Sequence, residues 1–343
     1  MKKERDLSID FFRFIGMTAI IFAHSDPSHF LAQIRNFDVP LMVFVSGYSA
    51  FNFSSKSGNL SAYVMDRFLR LVVPTWIFVT LYLVIRQALG DGVSTGDVIE
   101  SYLMTGGGPV GVWIIRIFFF MSLLTPMMVR LANKDASHFL LLIFLILIFA
   151  ANEVVSLYFK EMPHPRTIPV RLVFILLLYN VSYGLVLYLG AIWGKLKKNE
   201  QFFFTTAWLI CFLTLAIYLF NAHGKFVWTQ AFKNPPMLYY LSYALLIISI
   251  LFLIKNTWLV QALSRNRFTT FIGSHTLWIY LWHWLFLYGY DKSFPSVDLW
   301  PFKFLFTFTG ATLVTLLQVR IFNKFAPSIP QDYRTVLKKM FIG

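Results

Sequence analysis

Within one apolar stretch, LSIDFFRFIGMTAIIFAH from Leu7 to His24, stand an acid, a guanidinium and an imidazole: Asp10, Arg13 and His24. Wound as a helix, Arg13 and His24 are eleven positions apart. At ~100° per residue they return to within ~20° of one direction, with roughly 16 Å between them along the axis. Asp10 and Arg13, at i and i+3, are neighbours on the same face. An imidazole is the usual group for taking a proton from an alcohol near neutral pH. Ionisable groups at membrane depth are costly unless they face partners or a wet cavity, so the stripe predicts a polar interior lined by this helix.

Other stretches carry candidate chemistry, each with a structural reading beside it. In Asp66-Arg67-Phe68-Leu69-Arg70, ahead of Pro74, the two arginines share a helical face. They serve either as a cytoplasmic anchor or as a guanidinium fork for a phosphate-bearing cofactor. Ser46-Gly47 within FVSGY reads first as close helix packing. His283, flanked by Trp282 and Trp284, is either a packed, hydrogen-bonded histidine or part of a cavity wall. Glu153 is an interfacial residue or the partner of a basic group. Gly106-Gly107-Gly108-Pro109 lacks the lysine and following helix start of a phosphate-cradling loop, and reads as a flexible or re-entrant segment. His24, Asp26 and His29, broken by Pro27, do not have a helical metal-ligand spacing, so no metal is expected.

These residues must be positioned by membrane spans. The chain has 343 residues, 57% hydrophobic and 13% charged, against about a quarter charged in a soluble globule. Its mean hydropathy is +0.64. Runs of the length a ~30 Å hydrocarbon core requires fall near 7–25, 39–54, 71–89, 112–131, 138–159, 170–193, 202–220, 237–254, 270–288 and 301–321. The expectation is an all-α polytopic membrane protein of about ten transmembrane helices around a polar interior, forming a single domain over residues 1–343. The tail after Phe322 reads as short and basic.

The net charge of +14 is spread in short clusters between spans rather than gathered in one patch. That pattern is an orientation signal and gives no reason to expect a nucleic-acid partner. With the N-terminus inside, nineteen Lys and Arg fall on the cytoplasmic side and eight on the other, and three lie within or at the edge of spans. Both termini are therefore expected in the cytoplasm, with Arg13 in the cytoplasmic half of its span and His24 near the outer end. Three basic residues between Lys160 and Arg171 run against this orientation. No small-residue cleavage site follows the first apolar run, so no cleavable signal is expected. The single cysteine, Cys211, allows no internal disulfide and reads as packing.

Taken together, these residues resemble the membrane-bound acyltransferase-3 family of bacterial carbohydrate O-acyltransferases, over nearly the whole chain. The similarity lies in Arg5, Ile9-Asp10-Phe11-Phe12-Arg13 and then ten residues to His24. It continues in Phe44-Val45-Ser46-Gly47-Tyr48, Arg67-x-x-Arg70 before Pro74, Val112-Trp113, and the late stretch Ser274 to His283. The resemblance implies an inner-membrane enzyme moving an acyl group, usually acetyl, from cytoplasmic acyl-CoA to a hydroxyl of a surface carbohydrate. His24 would be the catalytic imidazole with Arg13 paired to it and Asp10 beside it. Arg67 and Arg70, with Arg13, would hold the cofactor, and Trp113, Ser46 and His283 are candidates for substrate contact. The implied partners are acyl-CoA, a carbohydrate or lipid-linked glycan, and the bilayer.

The residues themselves fit that chemistry. Acyl transfer from a thioester to an alcohol needs a base, a counter-charge for a polyphosphate donor, and a site where water does not compete. His24 would abstract the hydroxyl proton or carry the acyl group transiently. The rival class is a polytopic transporter or flippase for a polysaccharide precursor, whose intramembrane charges would form a substrate path. It calls for Gly/Pro-broken spans in corresponding positions of two halves, and the sequence shows no such symmetry.

Overall fold

Where no water is present to satisfy backbone N–H and C=O groups, a lone apolar segment must wind into a helix. The apolar runs do so. The computed structural model describes residues 6–52, 60–134, 137–161, 168–295 and 299–342, except the side chains of 138, 159–161 and 168–175. Arg5, Lys2, Lys3, Lys56 and Arg166, used above for motif and orientation, lie outside the described residues. The helices are α1 Leu7–Ala23, α2 His29–Ile34, α3 Asp38–Asn52, α4 Leu60–Ala88, α5 Thr95–Tyr102, α6 Trp113–Ala132, α7 His138–Glu161 and α8 Ile168–Trp193. They continue with α9 Lys198–His223, α10 Leu238–Leu253, α11 Trp258–Ser264, α12 Arg267–Ser274, α13 Thr276–Ser293, α14 Trp300–Phe325 and α15 Gln331–Phe341. No strand occurs among the described residues.

Six of these (α4, α6, α7, α8, α9 and α14) are long and apolar enough to cross a bilayer, and α10 with α11 makes a seventh candidate bent by 93°. The chain is an all-helical, multi-pass membrane protein. The runs 7–25 and 39–54 are also helical, at 17 and 15 residues, short for a span of about 20. The run 270–288 is broken at Ser274–His275 into α12 and α13.

Three segments differ from their sequence reading. The long loop after α4 contains α5, started by a capping box in which the Ser94 hydroxyl accepts from the Asp97 N–H and the Asp97 carboxylate accepts from the Ser94 N–H. Helix α4 begins eleven residues earlier than the run 71–89, so the helical face shared by Arg67 and Arg70 belongs to the spanning helix itself. The basic tail contains α15.

The chain divides into two compact units, with the division falling inside α1 and inside α6. The first comprises residues 1–12, 28–55 and 124–265. Its tightest pairing is α3 with α8. A Cβ built on Gly47 would stand 2.0 Å from the Leu187 carbonyl oxygen, and one on Gly190 2.1 Å from that of Phe44. Only glycine lets the two backbones approach this closely, which is the packing reading of Ser46-Gly47. The Ser46 hydroxyl donates to the Met42 carbonyl of its own helix (2.8 Å). Glu153 accepts from the Leu238 N–H (3.2 Å), satisfying a backbone donor at the start of α10.

The first unit also buries a charged cluster between the α2–α3 turn and the segment before α10. Asp38 accepts from Arg35 (2.7 Å) and from Lys233 (3.1 Å), with side-chain exposures of 2% and 8% for Asp38 and Lys233. Gln33 and Asn36 tie Thr229 to the same cluster. Burial alone would raise the Asp38 pKa, but the charges of Lys233 and Arg35 outweigh it and hold the carboxyl below its usual value. A depressed carboxylate contributes stability above its unfolded pKa of about 4 and loses it as pH falls through the lower folded value. Thermal stability in detergent should therefore decline below about pH 4. Lys233→Met should cost about 3 kcal/mol, because it leaves Asp38 buried with one cation fewer. Equal unfolding temperatures for wild type and variant at pH 7 would contradict the assignment.

The second unit comprises residues 13–27, 56–123 and 266–343. Helices α13 and α14 pack along their lengths, with α15 crossing α4 and touching α14. Arg13, His24, Arg67, Arg70, Trp113 and His283 fall in this unit, and Asp10 and Ser46 in the first.

Candidate active site

His24 stands just beyond the last residue of α1, with its N–H bonded to the Ile21 carbonyl (3.1 Å), so it continues the helical turn. The chain then turns sharply through Asp26, whose φ of +55° lies in the left-handed region, where a short polar side chain is tolerated. The turn is held by Lys303 of α14, whose ammonium contacts both Asp26 and Asp291 at 2.7 Å. The Asp26 carboxylate is thus engaged by a lysine. No group of three or more His, Cys, Asp or Glu arranged to hold a metal occurs among the described residues.

His283, from the second turn of α13, meets His24. Its Nε2 lies 3.0 Å from His24 Nδ1, the rings are stacked at 5.1 Å, and the His283 side chain is fully buried. The other nitrogen of His283, Nδ1, contacts the Tyr280 carbonyl oxygen one turn back. A carbonyl only accepts, so His283 Nδ1 carries its proton and its Nε2 is the acceptor. His24 must then donate from Nδ1, which in the neutral ring makes Nε2 the basic nitrogen. One buried histidine thus sets the tautomer of the other, as second-shell partners do for catalytic and metal-bound imidazoles.

The glycine-rich loop packs around this pair. The Trp284 ring lies against His24 at 4.6 Å. Gly111 lies against the same ring, so that a Cβ there would come within 2.2 Å of the indole. Tyr280 donates its hydroxyl to the Gly111 carbonyl. Gly106 rests on Trp113 at the start of α6, Gly107 on the Glu100 carboxylate and Gly108 on Ser101 of α5. The glycines serve close approach to aromatic and polar side chains, and the segment is packed rather than loose.

A second cluster sits toward the start of α4. Asp66 accepts from Arg70 (3.0 Å), lies 3.9 Å from Arg67 Nε, and is reached by Lys339 of α15 at 2.7 Å. Arg67 also lies over the Tyr63 ring at 4.9 Å, and Tyr63 donates to the Ser122 carbonyl. The arginine side chains are about a third exposed, so they are not sealed within the protein. Three cations around one carboxylate leave an excess of positive charge suited to phosphate oxygens.

The structure therefore brings His24 to His283, and Arg67 to Arg70. Sequence reasoning read His283 as a packed, hydrogen-bonded histidine or part of a cavity wall without naming His24 as its partner, and it gave Lys339 and Tyr280 no role at the site. No curated protein and no solved structure matched the chain. The family described as an acyltransferase domain, of acyltransferase-3 type, matches residues 6–319. That match takes in α1 with Arg13, the histidine pair and the Arg67–Arg70 cluster, so the chain belongs to the acyltransferase-3 family of membrane acyltransferases.

Proposed function

We propose that the protein transfers an acyl group, acetyl by family expectation, from acyl-CoA to a hydroxyl of a cell-surface carbohydrate in the bacterial inner membrane. The observation that supports this reading is the His24–His283 hydrogen bond, which suits a neutral His24 with Nε2 as its basic nitrogen. In the reaction, Nε2 takes the proton of the acceptor hydroxyl while its oxygen attacks the thioester carbonyl. The tetrahedral intermediate collapses with cleavage of the carbon–sulfur bond. The thiolate leaves and takes from Nε2 the proton that came from the hydroxyl, giving free thiol and restoring the enzyme. Arg67 and Arg70 would hold the donor's phosphates on the cytoplasmic side, and Arg13, roughly 16 Å along α1 from His24, would line the path of the pantetheine arm.

The test is direct. Purified protein should bind acetyl-CoA and hydrolyse it slowly without acceptor. Surface polysaccharide from cells lacking the gene should lose one acetyl mass by mass spectrometry. A protein indifferent to acetyl-CoA that instead moved an intact glycan precursor across vesicles would overturn the reading in favour of a flippase.

A further inference from the structure

Helix α15 lies beyond the residues matched by the family, yet it is tied to the second unit at several points. Trp278 Nε1 donates to the Met340 carbonyl (2.9 Å), and the Gln318 amide donates to that of Phe341 (2.7 Å). The Phe341 ring stacks on Trp278 at 6.0 Å and 8°, in the wall of an apolar cavity of about 520 Å³ that Phe78, Trp282 and Leu317 also line. Arg334 closes the turn before the helix through the Ile329 and Pro327 carbonyls. An eleven-residue helix this short and polar is marginal alone, and these bonds fix it against α13 and α14.

The consequence of that fixation is the position of Lys339. Its ammonium reaches Asp66 at 2.7 Å, closer than either arginine of α4, and its side chain remains 28% exposed. Asp66 therefore gathers three cations from two helices distant in sequence, for a net charge of +2 in the cluster. Arg67 Nε is buried without a hydrogen-bond acceptor among the described residues, so Asp66 does not saturate the donors of this arginine. A lone carboxylate cannot satisfy two guanidinium groups and an ammonium, whereas phosphate oxygens can.

We propose that Lys339 is a third cation of the donor-phosphate site, held in place by α15 and aligned with Arg67 and Arg70 by Asp66. This rests on the reading of Arg67 and Arg70 as the residues that bind the phosphates of a nucleotide thioester. The C-terminal helix is then part of the binding machinery for the donor.

The experiment is calorimetric titration of the full chain in detergent with CoA and with dephospho-CoA. Lys339→Gln should weaken CoA binding about tenfold, Lys339→Arg should restore it, and the salt dependence of Kd should flatten in the glutamine variant. Lys338→Gln, the neighbouring charge outside the cluster, should bind as wild type does. If Arg67→Gln and Arg70→Gln weaken binding while Lys339→Gln matches Lys338→Gln, the role of Lys339 is overturned and the arginine site stands. If none of the three substitutions changes CoA affinity, the arginine reading falls and takes the proposal with it.

Discussion

His24→Ala should lower the rate of acyl transfer from acetyl-CoA by about 10²–10⁴-fold, the contribution of a positioned general base. The loss should appear in kcat, because the imidazole acts on the acceptor proton in the transition state, while donor affinity depends on charges elsewhere. His24 lies beyond the last residue of α1 and is only partly buried. Its removal deletes a hydrogen bond to His283 without emptying a packed core position, so the variant should remain folded in detergent. The measurement is transfer by purified protein in proteoliposomes, with CoA titration in parallel to show that the donor still binds. A variant that transfers acetyl at the wild-type rate would remove His24 from the mechanism. Retained CoA binding with turnover reduced to that extent is the expected outcome, and it would separate the base from the phosphate site.

How far the sequence led toward this site depends on the range of each interaction. The helical course of α1, ending just before His24, was legible because an apolar run with helical periodicity fixes local geometry. The helical face shared by Arg67 and Arg70 was legible for the same reason, although the helix starts as early as Leu60, well ahead of the apolar run. The role of His283 was hidden, since its bond to His24 joins positions 259 residues apart and no local pattern encodes such a pairing. Its tryptophan neighbours pointed toward packing. That was half right, because Trp284 packs on His24 itself. Lys339 was hidden differently. Its helix carries too little apolar length to register as a span, and its order comes from Trp278 and Gln318 donating to backbone carbonyls near its end. The glycines after α5 looked like a flexible loop, because sequence shows what glycine permits but not which side chain fills the space. Here Trp284 and Glu100 fill it.

The histidine pair makes a second prediction of comparable size. His283→Leu should lower kcat by about 10²-fold with little change in donor KM. Misplacing the tautomer of a catalytic imidazole costs about 10⁴ in the serine-protease triad, where the orienting group is a carboxylate. The acceptor here is a neutral imidazole nitrogen, and neutral hydrogen bonds are roughly half as strong as charge-assisted ones, so a smaller loss is expected. Leucine approximates the volume of the fully buried ring, so a purely structural role for His283 would show as a fall in unfolding temperature with kcat preserved. Glutamine supplies the discriminating contrast: its amide oxygen can accept from His24 Nδ1 and should recover much of the lost rate, which leucine cannot do. The double variant with His24→Ala should be no slower than His24→Ala alone, because His283 acts only through the group that is already gone. Additive losses would mean that His283 meets the substrate directly, as a wall of the acceptor site rather than as the residue that sets the proton on His24.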